Sequence, residues 1–457
     1  MSTSFEHASA NLSTSMEELF ELLRIPSISA LPQHAGDIRV AAEASAEALR
    51  RAGMESVHLA EPDTGNPVVR GDWLGAGPGA PTLLLYGHYD VQPADPLDEW
   101  SSPPFEPEVR NGKIYARGSS DNKGQFFAIL KGLEAVMAAQ GKLPVNVKWT
   151  IEGEEEISGR SLFKYLADHK DELKADAVFV ADNNFPKAGV PAVLTGLRGL
   201  VYTELEVQGA SADLHSGTYG GGAPNPLNAL GWIIAGLKDS SGHVTIPGFY
   251  DRVLDPSPEE VESWQRLGID EDALLRDEIG SDAFFGEAEY GVLHRLYARP
   301  TLDVHGVLGG FVGDGPKTVI PAKAMAKISM RLVPNQDPRE IFELYQRRVA
   351  ELTTPGIKVK IKEISLDEPV SAPVDGRGVQ AAARAFRRAF ETEPVFVRMG
   401  GSIPVMAAFQ QHLGVELIAS GFGLPDDRLH SPNEKLDVSQ FEGGIKTSAA
   451  LLEEFAG

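Results

Sequence analysis

The stretch LLLYGHYDVQP, residues 83–93, is an apolar run that stops at a glycine, a histidine, a tyrosine and an aspartate. Unbroken apolar character over Thr82 to Tyr86 predicts a strand covered on both faces, because a half-exposed strand would alternate. Such a strand delivers His88 and Asp90 to its carboxyl end. In open α/β sheets ligands bind outside those ends. The pair is either packing or chemistry, and the other strand ends decide which.

Strand and helix signals alternate on both sides of this run. A helix is expected from Met16 to Leu23, with Ser15 and Glu18 spaced as a capping box. An amphipathic stretch from Ile38 to Ala52 closes at Gly53. Phe126, Phe127, Leu130, Leu133 and Met137 recur at helical spacing until Gly141. Residues 145–151 alternate as a strand does, 177–181 form a short buried strand, and VELIAS (415–420) reads as another. Strands interleaved with helices predict an α/β unit with a mainly parallel, helix-covered sheet.

The middle of the chain has a different rhythm. LVYTELEVQG (200–209) alternates, and NPLNALGWIIAGLKD (225–239) reads as a helix. KAMAKISMRLVP (323–334) places Ala326, Ile328, Met330 and Leu332 on one face and Lys327, Ser329 and Arg331 on the other. DPREIFELYQRRVAEL (337–352) opens with an Asp337 cap and Pro338 at the first helical position, and IKVKIKEI (357–364) alternates again. This order predicts a small α+β domain of split-βαβ type. It sits as an insertion, residues 199–372, within a catalytic domain made of 1–198 and 373–457. No element is assigned to 240–305, which is rich in loops, acids and proline.

The chain has 457 residues, of which 65 are acidic and 42 basic, for a net charge of -23. That balance argues against nucleic acid or an anionic membrane as a partner. There are no cysteines, so disulfides and thiolate metal sites are excluded and any metal must use His, Asp and Glu. No apolar window reaches the roughly 18 residues of a membrane span. The N-terminal stretch shows neither the basic nor the apolar region of a secretory signal, which leaves a cytoplasmic location as the default expectation.

Charged residues fall just after the buried strands. His88 and Asp90 follow 82–86, and Glu154, Glu155 and Glu156 follow 145–151. Asp182 ends 177–181, and Asp426, Asp427 and His430 lie beyond 415–420. Asp121 follows KIYARGSS and opens a helix. Singly, each has a plain reading as a structural histidine, a turn cap or a solvated acidic run. Together they would repel in a cleft unless a cation neutralised them. Two histidines and three carboxylates match a two-metal site in which one carboxylate bridges.

Seven motifs carry a family resemblance: GHYDVQP, ARGSSDNKGQ, EGEEE, VFVADN, DLHSG, RMGGSIP and DDRLHSPNE, in this order. The sequence resembles the M20 family of metallopeptidases, which also includes deacylases. The long middle segment and GGSIPV resemble its dipeptidase branch of carnosinase-like enzymes. The resemblance implies a dinuclear metallopeptidase fold whose insertion is a ferredoxin-like lid and dimerisation domain. It implies His88 and Asp182 on one metal, Glu156 and His430 on the other, and Asp121 between them, with a cis peptide from Asp121 to Asn122. Asp90 would accept the second ring N–H of His88, and Glu155 would be the general base. The family shows a Glu pair, one residue, then Gly-Ser. Here Ile157 is followed by Ser158-Gly159, so a Glu154/Glu155 register is the alternative.

In the insertion, His215 resembles a histidine that reaches across a dimer to the oxyanion, and Arg331 one that grips the substrate carboxylate. Gly400, Gly401 and Ser402 resemble a loop that approaches the substrate terminus, and Glu434 is placed to support His430. The implied cofactors are two divalent ions per chain, zinc first, with manganese or cobalt as alternatives. The implied partners are a small peptide substrate and a second copy of the chain. The expected function is hydrolysis of dipeptides or short peptides bearing a free C-terminal carboxylate. The alternatives are an N-acyl-amino-acid deacylase and a non-catalytic metal-dependent binding protein.

Overall fold

The computed structural model describes residues 3–400 and 404–457. The strand Thr82–His88 runs two residues beyond its apolar stretch and carries His88 itself. It lies parallel between Asn146–Glu152 and Ala177–Ala181, and Glu416–Ser420 continues the parallel set. Antiparallel strands Val68–Trp73 and Glu55–Ala60 extend one side. Ala192–Leu197, with Val395–Met399 and Val370–Ser371, forms the other. The sheet is therefore parallel in its middle and mixed at its edges, and the expected α/β class holds.

The helix Lys123–Gln140 lies against this sheet and is buried around most of its circumference. Two glycines explain how close the packing is. A β-carbon on Gly132 would stand 2.7 Å from the Ile445 carbonyl oxygen, so the helix Val438–Ala456 can cross only at a residue without one. A β-carbon on Gly87 would overlap Phe126. The glycine before His88 thus lets the start of the helix, and Asp121 just ahead of it, press against the strand end.

Within the insertion, four antiparallel strands run in the order Thr301–Gly309, Lys323–Leu332, Gly199–Gln208, Lys358–Asp367. Helices Pro226–Ala235 and Pro338–Leu352 complete a ferredoxin-like α+β unit. Its own core includes Val201, Leu205, Ile233, Ile328, Met330 and Tyr345. Asp337 caps the second helix as expected, accepting from the N–H groups of Arg339 and Glu340.

Two readings of the sequence need correction. Ser15 is no cap: its helix spans Leu12–Leu23, and the Ser15 N–H bonds to Asn11 inside it. The capping box belongs to Thr3 and Glu6, at the start of Ser4–Ala10. The unassigned segment 240–305 is also structured. Helices Pro258–Arg266 and Val292–Ala298 return to the larger body, where Trp264, Leu267 and Ala298 join its core. Arg398 makes a two-point pair with Glu260 (2.8 and 2.9 Å), and Thr195 donates to the same carboxylate. Thr301–Gly309 escaped notice because Gly306 interrupts it and most of its side chains are exposed.

Candidate metal centre

Five segments meet at the carboxyl ends of the parallel strands. The first brings His88, wholly buried at its strand end. Its Nε2 faces Asp121 Oδ1 at 3.2 Å and Asp182 Oδ1 at 3.7 Å, and hydrogen-bonds to neither. On the ring's other side, Nδ1 lies 3.1 Å from the Asp90 carbonyl and 3.3 Å from Asp90 Oδ1. The second Asp90 oxygen accepts from the Glu156 N–H at 3.2 Å, so Asp90 joins the histidine to the glutamate turn.

Asp121 sits just before the helix Lys123–Gln140, and its peptide bond to Asn122 is cis. Its oxygens face two different imidazoles: Oδ1 faces His88, and Oδ2 lies 2.9 Å from His430 Nε2. Asn122 donates to Asp182 Oδ1 (2.8 Å) and the Ala181 carbonyl (2.7 Å), tying this loop to the neighbouring strand. Glu156 Oε2 lies 3.4 Å from His430 Nε2 and accepts 2.8 Å from the Gln92 amide, while its Oε1 is buried without a partner.

Two triads emerge, His88–Asp121–Asp182 and Asp121–Glu156–His430. In each, ligand atoms lie within 4.8 Å of one another, and Asp121 is common to both. His88 Nε2 and Glu156 Oε1 are buried without hydrogen bonds, the more exposed His430 Nε2 meets Asp121, and imidazole nitrogens converging with carboxylate oxygens are the donor set that divalent cations take. The residues fit a pair of such ions.

The electrostatics show what the cations would relieve. Burial, then the nearby Asp121 carboxylate, pushes Glu156 up to about 9. Burial and the Asp182, Asp121 and Asp90 carboxylates, against the pull of His88, push Glu155 up to about 7. The contact with Asp121, against burial and aided by Glu156, raises His430 to about 9. Burial alone would lower His88, yet Asp182, Asp121 and Asp90 together hold it well above its ordinary value.

The geometry also separates the acidic run. Glu154 turns away, accepting from the Asn66 N–H at 3.0 Å and from Ser161. Glu155 and Glu156 open the single turn Glu155–Ile157 beside the triads. Asp426 and Asp427 pair with Lys435 rather than joining the centre. Glu434 is wholly buried under the loop that bears Asp121.

The residues of the insertion stand apart. His215 is exposed in a two-residue strand, its Nδ1 accepting from the Gly217 N–H, and no contact among the described residues joins it to the triads. Arg331 is half-buried near the end of Lys323–Leu332, close enough to Arg198 for the two guanidinium groups to repel. The space beside Gly400 is bounded by Arg198 Nη1, 3.8 Å from where a β-carbon would sit. Gly401 and Ser402 lie outside the described residues. Sequence reasoning gave no role to the side chains of Asn122 and Gln92, although both lie inside the motifs ARGSSDNKGQ and GHYDVQP.

The match to known proteins covers most of the chain. The family model "Peptidase family M20/M25/M40" matches residues 84–454. The Beta-Ala-His dipeptidase of Homo sapiens is 34% identical over 395 residues, 85% of this chain and 78% of that protein. The Cys-Gly metallodipeptidase dug1 of Schizosaccharomyces pombe is 35% identical over 400 residues, 85% and 83% respectively. Among solved structures, the M20 family metallo-carboxypeptidase Sso-CP2 from Sulfolobus solfataricus superposes with TM-score 0.80 at 33% identity, covering 97% of this chain and 99% of that one. With two carboxylate–histidine triads sharing one aspartate, this chain belongs to peptidase family M20/M25/M40 and is an enzyme of the dinuclear metallopeptidase type.

Proposed function

We propose that this enzyme hydrolyses the amide bond of dipeptides or short peptides that end in a free carboxylate. The observation that carries the reading is Asp121, whose two oxygens face two histidines from opposite ends of the chain. The named activities of the relatives, on β-Ala-His and on Cys-Gly, support a dipeptide substrate.

His88 and Asp182 would hold one divalent ion, Glu156 and His430 the other, and Asp121 both. When bound, such a pair supplies an activated water and polarises the scissile carbonyl. Zinc is our first assignment, and manganese or cobalt suits the same donors. Glu155 takes the proton of the attacking water and returns it to the leaving amine, a task for a carboxyl tuned towards neutrality. Asp90 fixes the ring orientation and tautomer of His88. Arg331 grips the substrate carboxylate, as a planar guanidinium does well.

The active form is a homodimer in this reading, with His215 stabilising the oxyanion of the partner subunit's site. Two observations support it: His215 is exposed and apart from its own triads, and the edge strand Thr301–Gly309 presents Val304, Val307 and Leu308 to solvent.

The test is a metal-reconstituted screen of dipeptides, their C-terminal amides, and acetyl- and succinyl-amino acids. Chelator-reversible cleavage confined to dipeptides with a free carboxylate is expected. Faster turnover of the acylated amino acids would transfer the enzyme to the deacylases, and binding without turnover would leave a metal-dependent binding protein.

A further inference from the structure

Glu434 lies four residues past His430, is wholly buried, and belongs to neither triad. Its carboxylate accepts four hydrogen bonds. Oε1 receives the N–H groups of Ser120 and Asp121, each at 2.9 Å. Oε2 receives the Gly118 N–H at 3.0 Å and the Arg117 guanidinium at 2.7 Å. Each donor belongs to the loop that presents Asp121. The side chain is 0% exposed, so no water can replace these bonds if they are lost.

The backbone around Glu434 is fixed as well. The next residue, Lys435, pairs with Tyr115 in a small three-stranded sheet, and the Glu434 carbonyl accepts from the Ala116 N–H at 3.3 Å. A second tie runs from Ser120 Oγ to Asp427 at 2.8 Å. Between these anchors His430 has φ 57°, with Arg428 at 58° and Asn433 at 63°, a left-handed conformation that non-glycine residues rarely hold without outside support. Asn433 supplies some, accepting from the Ser101 N–H and donating to the Glu99 carbonyl, each at 2.8 Å.

We infer that Glu434 is a positioning residue for the dinuclear centre: by holding the 118–121 loop from the segment that carries His430, it sets the Asp121–His430 spacing on which both ions depend. One segment thus offers a ligand and, four residues later, fixes the shared ligand opposite it. Removing such a partner typically weakens a metal site by about 10–100-fold. Because Asp121 belongs to both triads, the loss should fall on both ions together.

The inference rests on the metal assignment above, and the experiment separates the two. Wild type, Glu434→Gln and Arg117→Met are titrated with Zn2+ against a competing chelator and, loaded with Co2+, compared by visible absorption; thermal melting of the metal-free proteins is followed in parallel. Glu434→Gln keeps size and burial but sets an amide N–H2 against backbone N–H groups or Arg117. The expected result is two ions per wild-type chain, both weakened by about 10–100-fold in Glu434→Gln, with an altered Co2+ spectrum. Arg117→Met, which removes one of the four donors, should show a smaller change in the same direction. A Glu434→Gln protein that melts earlier yet keeps wild-type affinity and spectrum overturns the inference, since its role would then be structural. Wild type that binds no metal would instead overturn the assignment itself.

Discussion

His430 Nε2 stands 2.9 Å from Asp121 Oδ2, although 309 residues separate them in sequence. The other oxygen of Asp121 faces His88. A carboxylate placed between two imidazoles in this way couples two cation sites through a single residue, and several expectations follow from that sharing.

Asp121→Asn should cost more metal than Asp182→Asn. The first replaces a member of both triads, the second a member of one. Elemental analysis of dialysed protein should show content falling from two ions per chain towards none in Asp121→Asn, and towards one in Asp182→Asn. Equal losses would contradict the sharing.

Metal affinity should rise with pH. Burial holds the metal-free Glu156 at about 9, so near neutrality it carries a proton that an arriving cation must displace. Raising the pH removes that competitor and strengthens binding, by up to about tenfold per pH unit for each proton displaced. Chelator competition at pH 6, 7 and 8 measures the slope, and a flat profile would refute it.

Glu155→Gln should retain both ions and lose turnover by roughly 10²–10⁴-fold, the usual worth of a positioned base. Steady-state kinetics beside metal analysis checks it. Turnover within a few-fold of wild type would remove Glu155 from the reaction.

His215→Ala and Glu155→Gln should each be nearly inactive and should complement when mixed and refolded together. In a mixed dimer, the subunit with an intact Glu155 receives an intact His215 from its partner. Random pairing of equal amounts would restore about a quarter of wild-type activity. No recovery would place His215 outside any role in trans.

Glu260 should matter at acid pH. Burial would raise its carboxyl, but Arg398 and Thr195 outweigh this and hold it below its ordinary value. A depressed folded-state value gives stability that is present above the unfolded value of about 4.3 and is lost as pH falls through the folded one. Glu260→Gln should destabilise the protein at pH 7, by about 3–5 kcal/mol if Arg398 is left buried and unpaired. It should also show a shallower loss of stability between pH 5 and 3 than wild type, as urea melts would record.

The centre was legible in the sequence because its members sit where strands end. His88, Asp182 and the acidic run Glu154–Glu156 could be found from apolar runs alone, and Asp121 and His430 from the residues around them. The sequence left a Glu154/Glu155 register open because adjacent glutamates differ only in what each side chain meets: Glu154 meets Asn66 and Ser161, while Glu155 feels the charges of His88 and Asp182. Segment 258–298 was opaque for a related reason. Its contacts, Glu260 with Arg398 and Trp264 with the larger core, lie far away in sequence, and nothing periodic announces them. Ser15 misled because apolar spacing is visible only from Met16, although its helix begins at Leu12.

The return of residues 258–298 to the larger body bears on how this protein can be cut. Phe249 belongs to the smaller core, Trp264 and Ala298 to the larger, Leu302 to the smaller again and Val370 to the larger. A shortened protein made by splicing residue 198 to 373 would lose Trp264, Leu267 and Ala298 from the body it was meant to preserve, and would strand Arg398 without Glu260. Excision must instead spare 258–298 on a bypass of its own, and any swing of the remaining piece has to bend at several chain crossings at once.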